Sequence, residues 1–435
     1  MRTTLLFVCW VLGSSPLFAS IIIVDQTSIQ DAIDGARDGD VILVKGYADY
    51  VYGDFTIDGK AVAVRSFGGL PFLVSDLTYA SVTVVIRNIA TGKRASVSGM
   101  VLRIEEYAAD ISSLEVTDCA GEVVIEDISV PNKESYHSHG GRSELKISHC
   151  DNVSVNGFVN QFVFGAPQFP TVSIDHSQVR MTDVSITGET DYGGSGGNAF
   201  LVTDSFLVLA NPHVSGASGE KETGAPGGDG VYADLHSLII VLGDATDSIT
   251  GGGGGDSHYE SPWGYVGPGG DGGDGLHCVV RDGESSVALV SKVGLSGGGG
   301  GKGDPNGNGG QAFTGDVTRN DVMPHLALTT DLVPGGSGVL TLHNVVAGSF
   351  LILVATQGGF LPVGGIIGPP ISAVPGGLFL AVPLPHVGAD GSLDLPFVLP
   401  NDPDLRGLPL ELQAVLLGDD ALVYSTQAIA RVIGQ

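Results

Sequence analysis

One pattern constrains this chain more than any other. Four hexapeptides, Leu114–Cys119 (LEVTDC), Leu145–Cys150 (LKISHC), Val172–Ser177 (VSIDHS) and Phe200–Ser205 (FLVTDS), share one design and start at intervals of 31, 27 and 28 residues. Each has apolar side chains at its first and third positions, Asp or His at its fifth, and Cys or Ser at its sixth. A second apolar alternation follows each: Val123–Ile125, Val153–Val155, Val179–Met181 and Leu207–Leu209. Period-two alternation places one set of side chains on each face of an extended strand. Recurrence at this interval calls for stacked units that share a core, because one such unit cannot bury its apolar face alone. The sequence therefore predicts an all-β fold, a parallel β-helix (solenoid). Leu114, Leu145, Val172 and Phe200 form one interior ladder of it, and Val116, Ile147, Ile174 and Val202 form the next.

Glycine carries a second series. Gly196–Phe200 (GGNAF), Gly227–Val231 (GGDGV), Gly272–Leu276 (GGDGL) and Gly309–Phe313 (GGQAF) are spaced 31, 45 and 37 residues apart. The variable length falls in Gly251–Gly255, Gly264–Gly275 and Gly297–Gly310, which predicts glycine-rich loop insertions on one side of the coils. Gly and Pro together make 67 + 22 = 89 of 435 residues, short of a low-complexity chain. With 43% apolar and 16% charged residues, the chain can bury a core and is not a coiled coil.

Residues 1–19 hold one charge, Arg2, then the apolar run Leu5–Leu12 and a small-residue end at Ala19–Ser20. This layout predicts a secretory signal peptide, cleaved near Ala19 or Ser20, and a secreted product, extracellular or at the cell surface. No later stretch is long and apolar enough for a transmembrane span. The net charge of −28 becomes 19 − 48 = −29 without the signal, which argues against nucleic acid and anionic membranes as partners. Three cysteines then remain, an odd number without a C-x-x-C pair, so neither a full disulfide framework nor a cysteine zinc site is implied. Cys119 and Cys150 share one ladder position. Stacking as small buried hydrophobes is the simplest reading, and a disulfide between them is open by distance.

Ile29, Ala32, Ile33 and Ala36 follow helical spacing behind Ser28, a good N-cap, before Asp38-Gly39-Asp40 stops the helix and Val41–Val44 begins a strand. The run Ile29–Val44 (IQDAIDGARDGDVILV), followed by Ile57–Lys60 (IDGK) and Val62–Arg65 (VAVR), resembles the opening of the pectin-lyase-like proteins. Lys45–Ala48 (KGYA) departs from the family's usual glycine-threonine-tyrosine step. The resemblance implies a right-handed parallel β-helix with an N-terminal capping helix, over residues 20–322. From residue 325 to 435, short alternating runs separated by Gly and Pro read as a small antiparallel β-sandwich. Leu399–Gln413 resembles a domain recurrent in secreted bacterial proteins.

Three constellations carry potential chemistry. Asp118, His149, His176 and Asp204 occupy the fifth repeat position and form a column that could shuttle protons or bind a metal. The competing reading, short polar residues capping a bend, weighs more. Gly269–His277 (GGDGGDGLH) matches the calcium nonapeptide once; that motif works by tandem stacking, so calcium stays open and no metal centre is assigned. Tyr259, Trp263 and Tyr265 lie in one loop and could stack on sugar rings, or could fold back to anchor it.

Family resemblance also directs attention to lyase and hydrolase residues. The lyases place acidic calcium ligands and an Arg or Lys base on an outer sheet, while the hydrolases use Asp pairs, Gly-His-Gly and Arg-x-Lys. No Asp-Asp pair precedes Asp419, and Gly-His-Gly and Arg-x-Lys are absent. The expected function is therefore a non-catalytic glycan- or protein-binding or structural role, with a polysaccharide or cell-envelope glycan as partner. The alternative is a polysaccharide lyase or glycoside hydrolase, and the discriminating feature is a set of carboxylates with a basic residue on one outer sheet.

Overall fold

Leu114, Leu145, Val172 and Phe200 do pair in register across successive parallel strands, as do Val116, Ile147, Ile174 and Val202, and all eight are buried. The computed structural model describes residues 20–47, 50–73, 82–102, 111–130, 142–160, 170–189, 194–260, 264–281, 284–321, 323–328, 332–345, 348–355, 366–367, 379–383, 391–401, 409–418, 423–426 and 429–432. The expected signal peptide, residues 1–19, lies outside them. The chain falls into two compact units, Ile21–Arg319 and one built on Asn320–Gln435.

The first unit is a parallel β-solenoid with three stacks of strands. The first sheet runs from Phe55–Asp58 through Val82–Arg87, Val172–Asp175, Phe200–Thr203 and Val231–Asp234 to Phe313–Thr314. The second starts at Ile21–Val24 and ends at Asp316–Arg319. The third runs from Val51–Tyr52 to Gly294–Ser296. Their inward side chains make one core from Val24 to Val293. The only helix among the described residues, Ile29–Gly35, buries Ile29 and Ile33 in that core. Ser28 Oγ accepts from Asp31 N at its start, and Lys60 Nζ donates to the carbonyls of Ile33 and Asp34 at its end.

Two corners recur along the first part of the solenoid, and both take left-handed backbone. Between the first and second sheets, Gly59, Asn88, Asp118, His149, His176 and Asp204 have φ between 42° and 67°. Between the second and third, Gly99, Asp127, Gly157, Asp183 and Asn211 have φ between 50° and 69°. A Cβ normally forbids this region, and Gly, Asn, Asp and His are the residues that enter it at least cost. The polar character of the fifth repeat position thus has a backbone cause.

The glycine-rich segments are not free loops. Backbone hydrogen bonds stack them against one another. Ala217 N donates to Gly197 O, Gly228 N to Ala217 O, Gly252 N to Gly228 O, Gly273 N to Gly252 O, Gly298 N to Gly273 O and Gly310 N to Gly298 O, all at 2.8–3.0 Å. A Cβ on Gly252 would lie 1.8 Å from Ala217 O, and one on Gly298 would lie 1.9 Å from Gly252 O. Neither glycine has positive φ; close approach of neighbouring backbones is what excludes a side chain. A side-chain ladder runs beside this stack. Asn198 Oδ1 accepts from Asp229 N, Asp229 Oδ1 from Asp274 N, and Asp274 Oδ1 from Gln311 N, at 2.8, 2.6 and 2.6 Å. These are the third positions of the glycine series.

In the second unit, His325–Leu328, Ser337–Val345 and Gly391–Val398 form a three-stranded antiparallel sheet. A six-stranded sheet is centred on Gly348–Ala355 and Pro409–Gly418. Leu340 and Leu342 are buried on the first sheet in the alternation of a strand covered on one side, whereas Leu412, Gln413, Ala414 and Leu416 are all buried on the second.

Candidate functional site

Three places on the solenoid gather chemistry-bearing side chains. At the corner after the first sheet, the rings of His149 and His176 stack with centroids 5.3 Å apart and planes 12° apart. His176 Nδ1 lies 2.9 Å from Asp175 Oδ1 and its Nε2 lies 3.2 Å from Asp204 Oδ2. The structure thus brings together three of the four column residues and adds Asp175. Asp118 stands one coil beyond His149, where Thr117 donates to its carboxylate. His149, Asp175 and His176 have ligand atoms within 4.8 Å of one another. About half of the His176 side chain meets solvent, so water competes with every contact it makes.

The second place lies where the chain enters the first-sheet strands Val231–Asp234 and Leu276–Cys278. Asp229 and Asp274 occupy equivalent positions on neighbouring coils, and His277 points from the strand Leu276–Cys278 toward both. His277 Nδ1 is 3.4 Å from Asp229 Oδ2 and 3.6 Å from Asp274 Oδ2. The side chains of Asp229 and Asp274 are 16% exposed, and that of His277 32%. Asp229 raises the pKa of His277, against burial, with further help from the charges of Asp274 and Asp234. Tyr232, in register with His277, packs its ring 5.0 Å from the imidazole. This trio escaped the sequence reading, although the shared third position of GGDG at 229 and 274 was its signal.

The third is the outer surface of the second sheet, where residues far apart in sequence converge. Arg94 pairs with Glu122, and Arg65 Nη2 lies 3.9 Å from Glu126 Oε2. Arg180 Nη2 donates to Asn152 Oδ1 at 2.8 Å and to Ser154 Oγ at 3.0 Å. Carboxylates and basic groups do share one outer sheet here. The patch is buried, with Arg180 4% and Glu122 5% exposed. Further along the same outward column Val208 and Ile240 are buried too, and the unbroken apolar run Leu238–Leu242 (LIIVL) was the sequence sign of a strand covered on both faces.

The aromatic loop is an antiparallel hairpin, His258–Glu260 with Gly264–Val266, in which Tyr259 pairs with Tyr265 across the strands. Tyr259 is 58% exposed. Trp263 lies outside the described residues. In the calcium-like segment Asp271 Oδ1 accepts from Asn308 N, and Asp274 Oδ1 from Gln311 N. Cys119 and Cys150 pair in register as free, buried thiols, and Cys278 is also free and buried.

No family model, no curated protein and no solved structure matches this chain. Among the described residues, no helix is long and apolar enough to cross a membrane.

Proposed function

We propose that this chain is a secreted or cell-surface binding protein, a right-handed β-helix of pectin-lyase-like type whose helix Ile29–Gly35 caps one end and whose second unit is a β-sandwich. Its partner is a glycan or another protein, and its contact surface includes the hairpin His258–Val266. The observation that carries this reading is Tyr259, a large ring left 58% exposed on a hairpin that grows from a backbone-locked glycine stack. A ring held on a rigid support loses little entropy on binding, which suits stacking against a sugar face. Trp263 and Tyr265, in the same stretch of sequence, belong to the same contact surface in this reading.

A polysaccharide lyase or hydrolase is the second reading, favoured by the Arg65, Arg94, Arg180, Glu122 and Glu126 constellation on one outer sheet. Its burial weighs against it, because a polymer must reach the groups that cleave it. A glycan array on the secreted chain, paired with turnover assays on the same polymers, separates the two. Binding without turnover is expected, and Tyr259→Ala should weaken it by about 1–2 kcal/mol, roughly 5- to 30-fold. Turnover that survives Tyr259→Ala and is lost in Arg180→Lys would establish the second reading instead.

A further inference from the structure

The side chains of Asp229, Asp274 and His277 are better arranged for a cation than for one another. His277 Nδ1 stands 3.4 and 3.6 Å from the two carboxylate oxygens, longer than a well-formed N–H···O bond. All three ligand atoms fall within 4.8 Å of one another. Bonds of about 2.0–2.2 Å from a metal to nitrogen and oxygen place neighbouring ligands about 3.0–3.6 Å apart in tetrahedral or octahedral geometry. The two imidazole-to-carboxylate separations lie in that range. We propose that Asp229 Oδ2, Asp274 Oδ2 and His277 Nδ1 bind one divalent transition-metal ion of the zinc or cobalt kind.

The three ligands are also preorganised. Each carboxylate is held through its other oxygen by a backbone N–H of the next coil, Asp229 by Asp274 N and Asp274 by Gln311 N, both at 2.6 Å. Thr314 Oγ1 donates to Asp274 Oδ2 at 2.6 Å, as groups behind metal ligands commonly do. The imidazole is fixed by its strand and by the Tyr232 ring. Binding would therefore order little that is not already ordered. Two partly buried carboxylates also make a region of negative charge that a divalent ion neutralises, while nearby Asp234 is already paired with Arg281 at 3.3 Å. A calcium ion takes six to eight oxygen ligands, whereas this set holds a nitrogen and two oxygens, the mixture that suits zinc and its neighbours. The site would pin two neighbouring coils to one another where the glycine segments join the first sheet.

The test is titration of the full chain with Co²⁺, read by its visible d–d absorption, with Zn²⁺ competition followed by calorimetry. One Co²⁺ per chain, displaced by Zn²⁺ and not by Ca²⁺, is expected. His277→Ala should weaken binding by more than about tenfold. Asp229→Asn should do the same; it keeps the Oδ1 that accepts from Asp274 N, so the ladder stays intact. His176→Ala should change nothing, which separates this site from the exposed corner cluster. The proposal is overturned by no Co²⁺ signal, by binding indifferent to both His277→Ala and Asp229→Asn in chains that melt like the parent, by loss in His176→Ala alone, or by a preference for Ca²⁺.

Discussion

His176 lies flat on His149 because both residues occupy the same corner of consecutive coils with the same left-handed backbone, φ 45° and 54°. The stacking follows from the bend, and the bend decides which residue types stand there. Replacing His176 with Gly should therefore leave the melting temperature within a few degrees of the parent, since glycine enters this region freely. His176→Val should cost about 1–2 kcal/mol, the scale of forcing a β-branched residue into left-handed backbone. Thermal melts of the two variants check this. If both destabilise equally, the imidazole contacts rather than the bend hold the corner.

The glycine stack has an internal control. Gly252→Ala sets a Cβ 1.8 Å from Ala217 O, and Gly299→Ala meets nothing within 4 Å. The first should cost about 1–3 kcal/mol or more, and the second should be close to neutral. Urea unfolding of both chains decides it. Equal behaviour would mean that these segments are not packed against one another.

Ile147 is fully buried between Val116 and Ile174 in neighbouring coils. Ile147→Ala should cost about 2–5 kcal/mol by leaving a cavity that both ladder neighbours line. Ile147→Asp should prevent accumulation of folded protein, since an unpaired carboxylate would replace a branched hydrocarbon in the core. A melt of Ile147→Ala that matches the parent would contradict the interior ladder.

Asp247 bears on pH dependence. Its side chain is nearly buried and accepts from Asp244 N, and burial raises its pKa above the usual carboxylate value, with the Asp244 bond opposing. A folded-state pKa above the unfolded one means that stability from this group is present at low pH and is lost as pH rises through the folded value. Asp247→Asn keeps a carbonyl acceptor and removes that loss. The variant should gain on the parent as pH rises from about 4 toward neutrality, read from paired unfolding curves. A difference between the two chains that is flat with pH, or of opposite sign, would refute the assignment.

Much of the solenoid was legible because its determinants are local. Alternation over Leu114–Cys119 and its three repeats decides which side chains face inward, and Asp or His at the fifth position marks the bend. The helix behind Ser28 was legible for the same reason. How the glycine runs pack was not legible, because the same composition serves a free loop and a backbone-packed layer, and only the neighbouring coil distinguishes them.

What the chain alone determined is the strand period, the corner residues and the parallel ladder of Leu114, Leu145, Val172 and Phe200. Tertiary structure alone decided which outward side chains meet. Arg180 reaches Asn152, Arg94 reaches Glu122, and Asp229 joins Asp274 and His277, because each coil is laid on the last in one register whatever length of glycine segment intervenes. Alternation settles the face a side chain takes; the stacking offset between coils settles its neighbours, and that offset is written in no single repeat.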